Sequence, residues 1–247
     1  MGNKALQDLN MAGVRWEISE EPTKQDAKKE PIQQTLLSTK EGSKPIIIPA
    51  AAPITLETVN SMVTRPNDID SLSRMIAEFN HPLRCGATNV VLPNIATNPN
   101  GLLIITDLPS SDDDLSGTIL SGPAGELTDK MLSAIDMSRE NVSIIPLLFW
   151  RTPGGRTPSR EELDLSIPFV QKMISMLSPR VIITLGTLST TEIAKTNLTD
   201  KHGSEITTEQ GYIIVPMYHP NYLILKPSAK KDVWDALQNI QKLLKNP

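Results

Sequence analysis

The sequence predicts an α/β protein, a three-layer α/β/α fold around a central four-stranded parallel sheet. Three observations carry that prediction. Four short, continuous apolar runs (101–107, 142–150, 180–186 and 212–217) are each bounded by turn residues, the pattern of strands buried on both faces. Segments with apolar residues at helical spacing lie between them. The alternation of the two kinds of element calls for helices covering both faces of a parallel sheet.

The elements follow in chain order. "DIDSLSRMIAEFN" has an acidic first turn and places Ile69, Leu72, Ile76 and Phe79 on one side, as an amphipathic helix does. "GLLIITD" is the first strand. In "GPAGELTDKMLSAID" Pro123 sits near the first helical position, and Leu127, Met131, Leu132 and Ile135 share a face. "VSIIPLLFW" reads as the second strand, although Pro146 cannot donate to a ladder. "TPSREELDLSIPFVQKMISML" offers two helix starts, Thr157 with Pro158 or the Ser159…Glu162 capping box. "RVIITLG" and "YIIVPM" complete the sheet, and a last helix turns Val233, Trp234, Leu237, Ile240 and Leu244 inward. Ligands of such sheets bind outside the C-terminal strand ends. Asp107, Trp150–Arg151, Gly186 and His219 fall there and are expected to converge. Residue pattern alone leaves His219 open between a strand-ending turn residue and a working one.

Composition bounds the function. The 247 residues carry a net charge of −4, with 39% hydrophobic and only 4% aromatic residues. Any nucleic-acid contact therefore rests on a local basic patch rather than on bulk charge. The single cysteine, Cys85, excludes an internal disulfide framework and a four-thiolate metal site. The N-terminus lacks the apolar core of a secretory signal, and no run approaches a membrane span. A cytoplasmic, monomeric protein with no membrane association and no obligate protein partner is expected. Residues 1–66 mix charges, prolines and small polar residues and form a flexible N-terminal segment. Leu6, Leu9, Val14 and Trp16 allow a short helix near 6–18. The folded domain is expected over 67–247.

Four motifs in register then carry a resemblance. "GPAGELTDKML", "WRTPGGRTPSREEL…IPF", "PRVIITLG" and "YHPNYLILKPSAKKDVWDAL" resemble the uracil-DNA glycosylase superfamily, in particular its family-four branch in alphaproteobacterial form. The resemblance covers roughly residues 68–247. It implies an enzyme that extrudes a uracil nucleotide from DNA and hydrolyses its N-glycosidic bond. Charge left on the departing ring is met by a preorganised donor, which by resemblance is His219 of "HPN", with Asn221 beside the base. Asp107 takes the place of the acid that positions the attacking water. Leu223 and Ile224 would press into the minor groove as wedges, with Lys226 facing phosphate. Arg151, Arg156 and Arg160, together with Lys230 and Lys231, are the remaining candidate DNA contacts.

The same alignment exposes departures. The glycines flanking the family's acid become Thr106 and Ser110. The phenylalanine that stacks on the base falls on Leu120, which offers only part of that contact. The asparagine that reads the uracil edge falls on Pro146, which has no side-chain donor or acceptor. The acidic pair Asp113-Asp114 is either a remnant of the family's motif or a solvated acidic loop. Cysteine ligands of the family's 4Fe–4S cluster fall on His81, Trp150 and Ser166, which implies a protein without cluster or other metal. Two alternatives to a working glycosylase stay open: a DNA-binding descendant without catalysis, and an anion-binding α/β protein using the "SGPAG" helix start.

Overall fold

The computed structural model describes residues 54–245. The helix expected near 6–18 lies outside them. The first element is α1, Leu56–Met62, capped by the Thr55 hydroxyl, and its Val59 is fully buried. Composition had placed this segment in the flexible tail. Helix α2, Ile69–Glu78, starts at Asp68, whose carboxylate accepts the Ser71 N–H at 2.7 Å.

Strand β1, Leu102–Thr106, is followed by α3, Ser111–Ser116, and α4, Gly122–Ser133. Strand β2, Ser143–Pro146, leads to α5, Arg160–Leu177. Of the two helix starts for α5, the Ser159–Glu162 capping box is the one used. Strands β3, Val181–Leu185, β4, Ile206–Thr207, and β5, Ile213–Met217, precede α6, Pro220–Leu225, and α7, Lys230–Lys245.

The sheet runs β2-β1-β3-β5-β4. Its first four strands are parallel, and β4 pairs antiparallel to β5. The expected four-stranded sheet therefore gains a fifth, edge strand. Two residues, Ile206 and Thr207, are too short to leave a periodic signal in the sequence. Pro146 is tolerated because β2 is the other edge and Pro146 is its last residue. The run predicted to 150 leaves the ladder at that proline, yet Leu147–Trp150 stays buried.

The pleat sorts the core into two halves. Leu103, Ile105, Ile145, Ile182 and Ile214 pack with α1, α2 and α5. Leu102, Ile104, Ile144, Ile183 and Val215 pack with α4 and α7. In α7, Val233, Leu237 and Ile240 are buried as expected, whereas Trp234 is partly exposed. Among the described residues no helix is long and apolar enough to cross a membrane.

Candidate functional site

The chain leaves β5 through Tyr218 and stops at His219. Pro220 follows as the first residue of α6 and has no N–H, so the first helical donor is Asn221. That N–H donates to His219 Nδ1 at 3.2 Å, which makes the imidazole the helix cap. Because Nδ1 accepts, the neutral ring carries its proton on Nε2. This N–H donates to Thr106 Oγ1, 3.1 Å away at the end of β1. Burial pushes the His219 pKa below its ordinary value, against the opposing pull of the Asp107 and Asp113 carboxylates. Histidine here is a neutral N–H donor of fixed tautomer.

Asp107 follows Thr106 directly. Its carboxylate reaches the turn after β3, where Oδ1 accepts the Ser189 N–H at 2.6 Å and Oδ2 the Leu188 N–H at 3.2 Å. Gly186 makes this possible. Its φ is +116°, and a Cβ there would lie 2.2 Å from Asp107 Oδ2. Each carboxylate oxygen keeps a lone pair for another donor. Asp107, His219 and Asn221 border one cavity of about 460 Å³, closed on other sides by Leu188, Arg156 and Pro158. A larger cavity, about 690 Å³, is lined by residues of α1 and α2 such as Met62 and Met75, away from the strand ends, so volume does not locate the chemistry. The predicted convergence holds for Asp107, Gly186 and His219. Trp150 departs from it, buried in the core instead of facing the cavity.

Other sequence candidates sit elsewhere. Leu120 has φ +49°, is buried in the α4–α7 half of the core, and its carbonyl accepts from Arg139 Nη2 at 2.6 Å. It does not border the cavity. Pro146 is buried at the end of β2. Leu223, named as a wedge, is 1% exposed and packs in the core, whereas Ile224 is 43% and Leu225 83% exposed. The exposed aliphatic pair of this segment is therefore Ile224 and Leu225; α6 turns its fourth residue, Leu223, inward. Lys226 is exposed, with Nζ 5.8 Å from the Tyr222 ring centroid.

Asp113 and Asp114 are buried, which overturns a solvated acidic loop. Asp113 accepts from the Ser110 and Ser121 N–H groups, and Asp114 from those of Thr88 and Asn89. The "SGPAG" start of α4 already faces a carboxylate, since a Cβ at Gly122 would lie 2.1 Å from Asp112 Oδ2. That position repels an anion. Two of the arginines are also spoken for. Arg156 forks onto Glu162 at 2.8 and 2.5 Å and holds its carboxyl down to about 2. Arg160 binds Asp164 and Glu192. Arg151 has no carboxylate partner among the described residues and is the freer cation of this loop.

The positions matching cluster ligands do not fit an iron–sulfur group. His81 Nδ1 accepts the Leu83 N–H, and Nε2–H donates to the Glu162 carbonyl at 3.0 Å. The His81 ring stacks on Trp150 at 4.4 Å and 4° between planes, beside Phe79 and Phe169. Indole offers a metal no lone pair, and the Ser166 hydroxyl donates to the Leu147 carbonyl at 2.8 Å. Cys85 is exposed, its thiol directed at the Pro82 carbonyl. An aromatic stack fills that region.

Fold and site together define an α/β/α protein with a cleft at the carboxyl ends of parallel strands, walled by a fixed imidazole donor and a pinned carboxylate. The chain belongs to the uracil DNA glycosylase superfamily, whose family model matches residues 92–238 and so spans Asp107 to His219. It is similar to the type-4 uracil-DNA glycosylase of Archaeoglobus fulgidus, 25% identical over 190 residues, which are 71% of this chain and 94% of that protein. The type-4 enzyme of Thermotoga maritima is 28% identical over 169 residues, 66% of this chain and 86% of the relative. The type-4 enzyme of Pyrobaculum aerophilum is 36% identical over a shorter stretch of 89 residues, 36% of this chain and 45% of its own length.

Sequence reasoning missed four residues. Thr106 was noted only as a lost glycine, yet it holds the His219 donor. Leu188 and Thr187 wall the cavity from the turn after β3; the signal was "LGTLS", a strand ending in glycine before a helical turn. Leu225 carried no signal, because helical phase alone decides whether it or Leu223 faces out.

Proposed function

We propose that this protein is a DNA glycosylase that hydrolyses the N-glycosidic bond of uracil, or of a related damaged base, flipped from DNA into the Asp107–His219 cavity. One observation carries the reading: His219 is a neutral N–H donor of fixed tautomer on the same cavity as a carboxylate pinned by two backbone N–H groups. The chemistry matches those groups. As the glycosidic bond breaks, negative charge grows on the base oxygen and His219 Nε2–H stabilises it. Positive charge grows on the sugar, which the Asp107 carboxylate opposes while its free lone pair orients the attacking water. A donor of this kind contributes about 10²–10³ in rate. Asn221 lines the cavity beside His219 and contacts the base. No step requires a cluster or metal, and we assign none.

DNA is held across the mouth by Arg151 and Lys226, with Ile224 and Leu225 pressing between bases and Leu223 supporting them from below. Affinity then falls steeply with salt. Leu120 and Pro146 leave the base without an aromatic stack and without an edge reader, so base discrimination is relaxed relative to a pocket built to hydrogen-bond uracil. Those two substitutions also support a second reading, a DNA-binding descendant with impaired catalysis.

The test incubates the protein with uracil-, hypoxanthine- and xanthine-containing oligonucleotides, single- and double-stranded, beside His219→Ala. Abasic product from the native protein, lost in the variant, supports the glycosylase. Salt-sensitive retention without product supports the impaired descendant, and no binding at low salt contradicts both.

A further inference from the structure

The His219 donor is not idle in the free protein. Its Nε2–H is spent on Thr106 Oγ1 at 3.1 Å, and Thr106 is almost fully buried at the end of β1. The ring cannot offer a second donor while it is neutral, since Nδ1 is committed to the Asn221 N–H. A base oxygen that accepts from His219 must therefore take the proton away from Thr106.

We propose that Thr106 is a positioning residue that reserves the His219 donor for the transition state. The inference rests on the glycosylase reading above. A neutral base carbonyl is no better an acceptor than a hydroxyl, so in the ground-state complex the exchange gains nothing. An oxygen carrying developing negative charge is different, because charge-assisted hydrogen bonds are roughly twice as strong as neutral ones. It wins the N–H from Thr106 as the glycosidic bond breaks. Thr106 thereby withholds the donor from the bound substrate, so the contact adds nothing to ground-state binding and KM stays higher than an unspent donor would make it. Thr106 touches His219 and not the base, so it acts by positioning.

The substitution Thr106→Val keeps the β-branched shape on its strand and removes the acceptor; Thr106→Ser keeps a hydroxyl. With Val the N–H is unspent, the base carbonyl collects it on binding, and KM for a uracil oligonucleotide falls about 3–10-fold, the span of one ordinary hydrogen bond. The kcat stays within about twofold, because bound and transition states gain alike. Ser restores the native KM. A second readout needs no turnover: the His219 pKa, followed by imidazole NMR. It drops further in Thr106→Val, since the cationic ring loses the acceptor it uses most, and returns in Thr106→Ser.

An unchanged KM with native turnover overturns the proposal. So does a kcat that collapses in Thr106→Val as in His219→Ala, which would make the hydroxyl itself the donor. Should the native protein leave every oligonucleotide intact, the glycosylase reading fails. A His219 pKa moved by Val and not by Ser still upholds the reserved donor in that case, and an unmoved pKa removes it. With turnover intact, an unmoved pKa sinks this proposal alone.

Discussion

Two His-Pro pairs in this chain are built alike and set in different surroundings. At His81-Pro82 and at His219-Pro220 the histidine caps a short helical segment, its Nδ1 accepting the N–H two residues on. Both rings are thus neutral with the proton on Nε2, and burial pushes both pKa values below the ordinary one. The difference is where Nε2–H goes. His81 is 1% exposed, donates to the Glu162 carbonyl and is stacked on Trp150. His219 is half-buried and gives its proton to a hydroxyl beside an open cavity. The local motif sets the tautomer, and the position in the sheet decides whether that tautomer braces a core or borders an open cavity.

The largest effects are expected on the core side. Trp150→Ala removes the fully buried partner of the His81 stack and is expected to cost about 3–5 kcal/mol of stability. Trp150→Phe costs far less, because the indole N–H is buried without an acceptor. His81→Ala costs about 2 kcal/mol or more by urea unfolding, from lost packing and from the orphaned Leu83 N–H and Glu162 carbonyl. The kinetic constants of the folded fraction are expected to stay native in all three. A loss of kcat in His81→Ala without unfolding would erase the distinction between the two histidines.

Leu223 and Leu225 sharpen the same contrast within one turn. Leu223→Ala is expected to destabilise the fold by about 2–4 kcal/mol. Leu225→Ala leaves the melting temperature unchanged and weakens duplex binding severalfold, read by fluorescence anisotropy. Equal effects on both would mean that α6 does not present a wedge.

Acid separates the groups further. The Glu162 carboxyl, held to about 2 by Arg156, sits below its ordinary value, so its contribution is complete above pH 4.5 and fades as pH falls toward 2. His81 and His219 also titrate below their ordinary value; the unfolded chain binds their protons first, and stability drops as pH falls from 6.5. Arg156→Ala is expected to raise the acid midpoint of unfolding and leave the loss near pH 6 in place. An acid midpoint that does not move would show that Arg156 does not hold Glu162.

Much of this was legible in the sequence because the strands are continuous apolar runs, and their ends carry Asp107, Gly186 and His219. The aromatic stack was not: His81 and Trp150 lie far apart in the chain, and only tertiary packing brings their rings together. Leu120 and Pro146 stand out in the sequence by residue type, yet their burial depends on loop geometry around Arg139 and on the end of β2. The pairing of Arg156 and Arg160 with Glu162, Asp164 and Glu192 was hidden for a similar reason. Sequence lists the charges, while their neutralisation is a matter of distance.

The most direct measurement is the rate of abasic-site formation in a uracil-containing oligonucleotide from pH 5 to 8, for the native protein and His219→Ala. The rate is expected to be level near neutrality, to fall as acid protonates His219 below pH 6.5, and to be about 10²–10³ lower in the variant at every pH above that fall. A rate that rises on acidification, or one that survives His219→Ala unchanged, would contradict this role of His219.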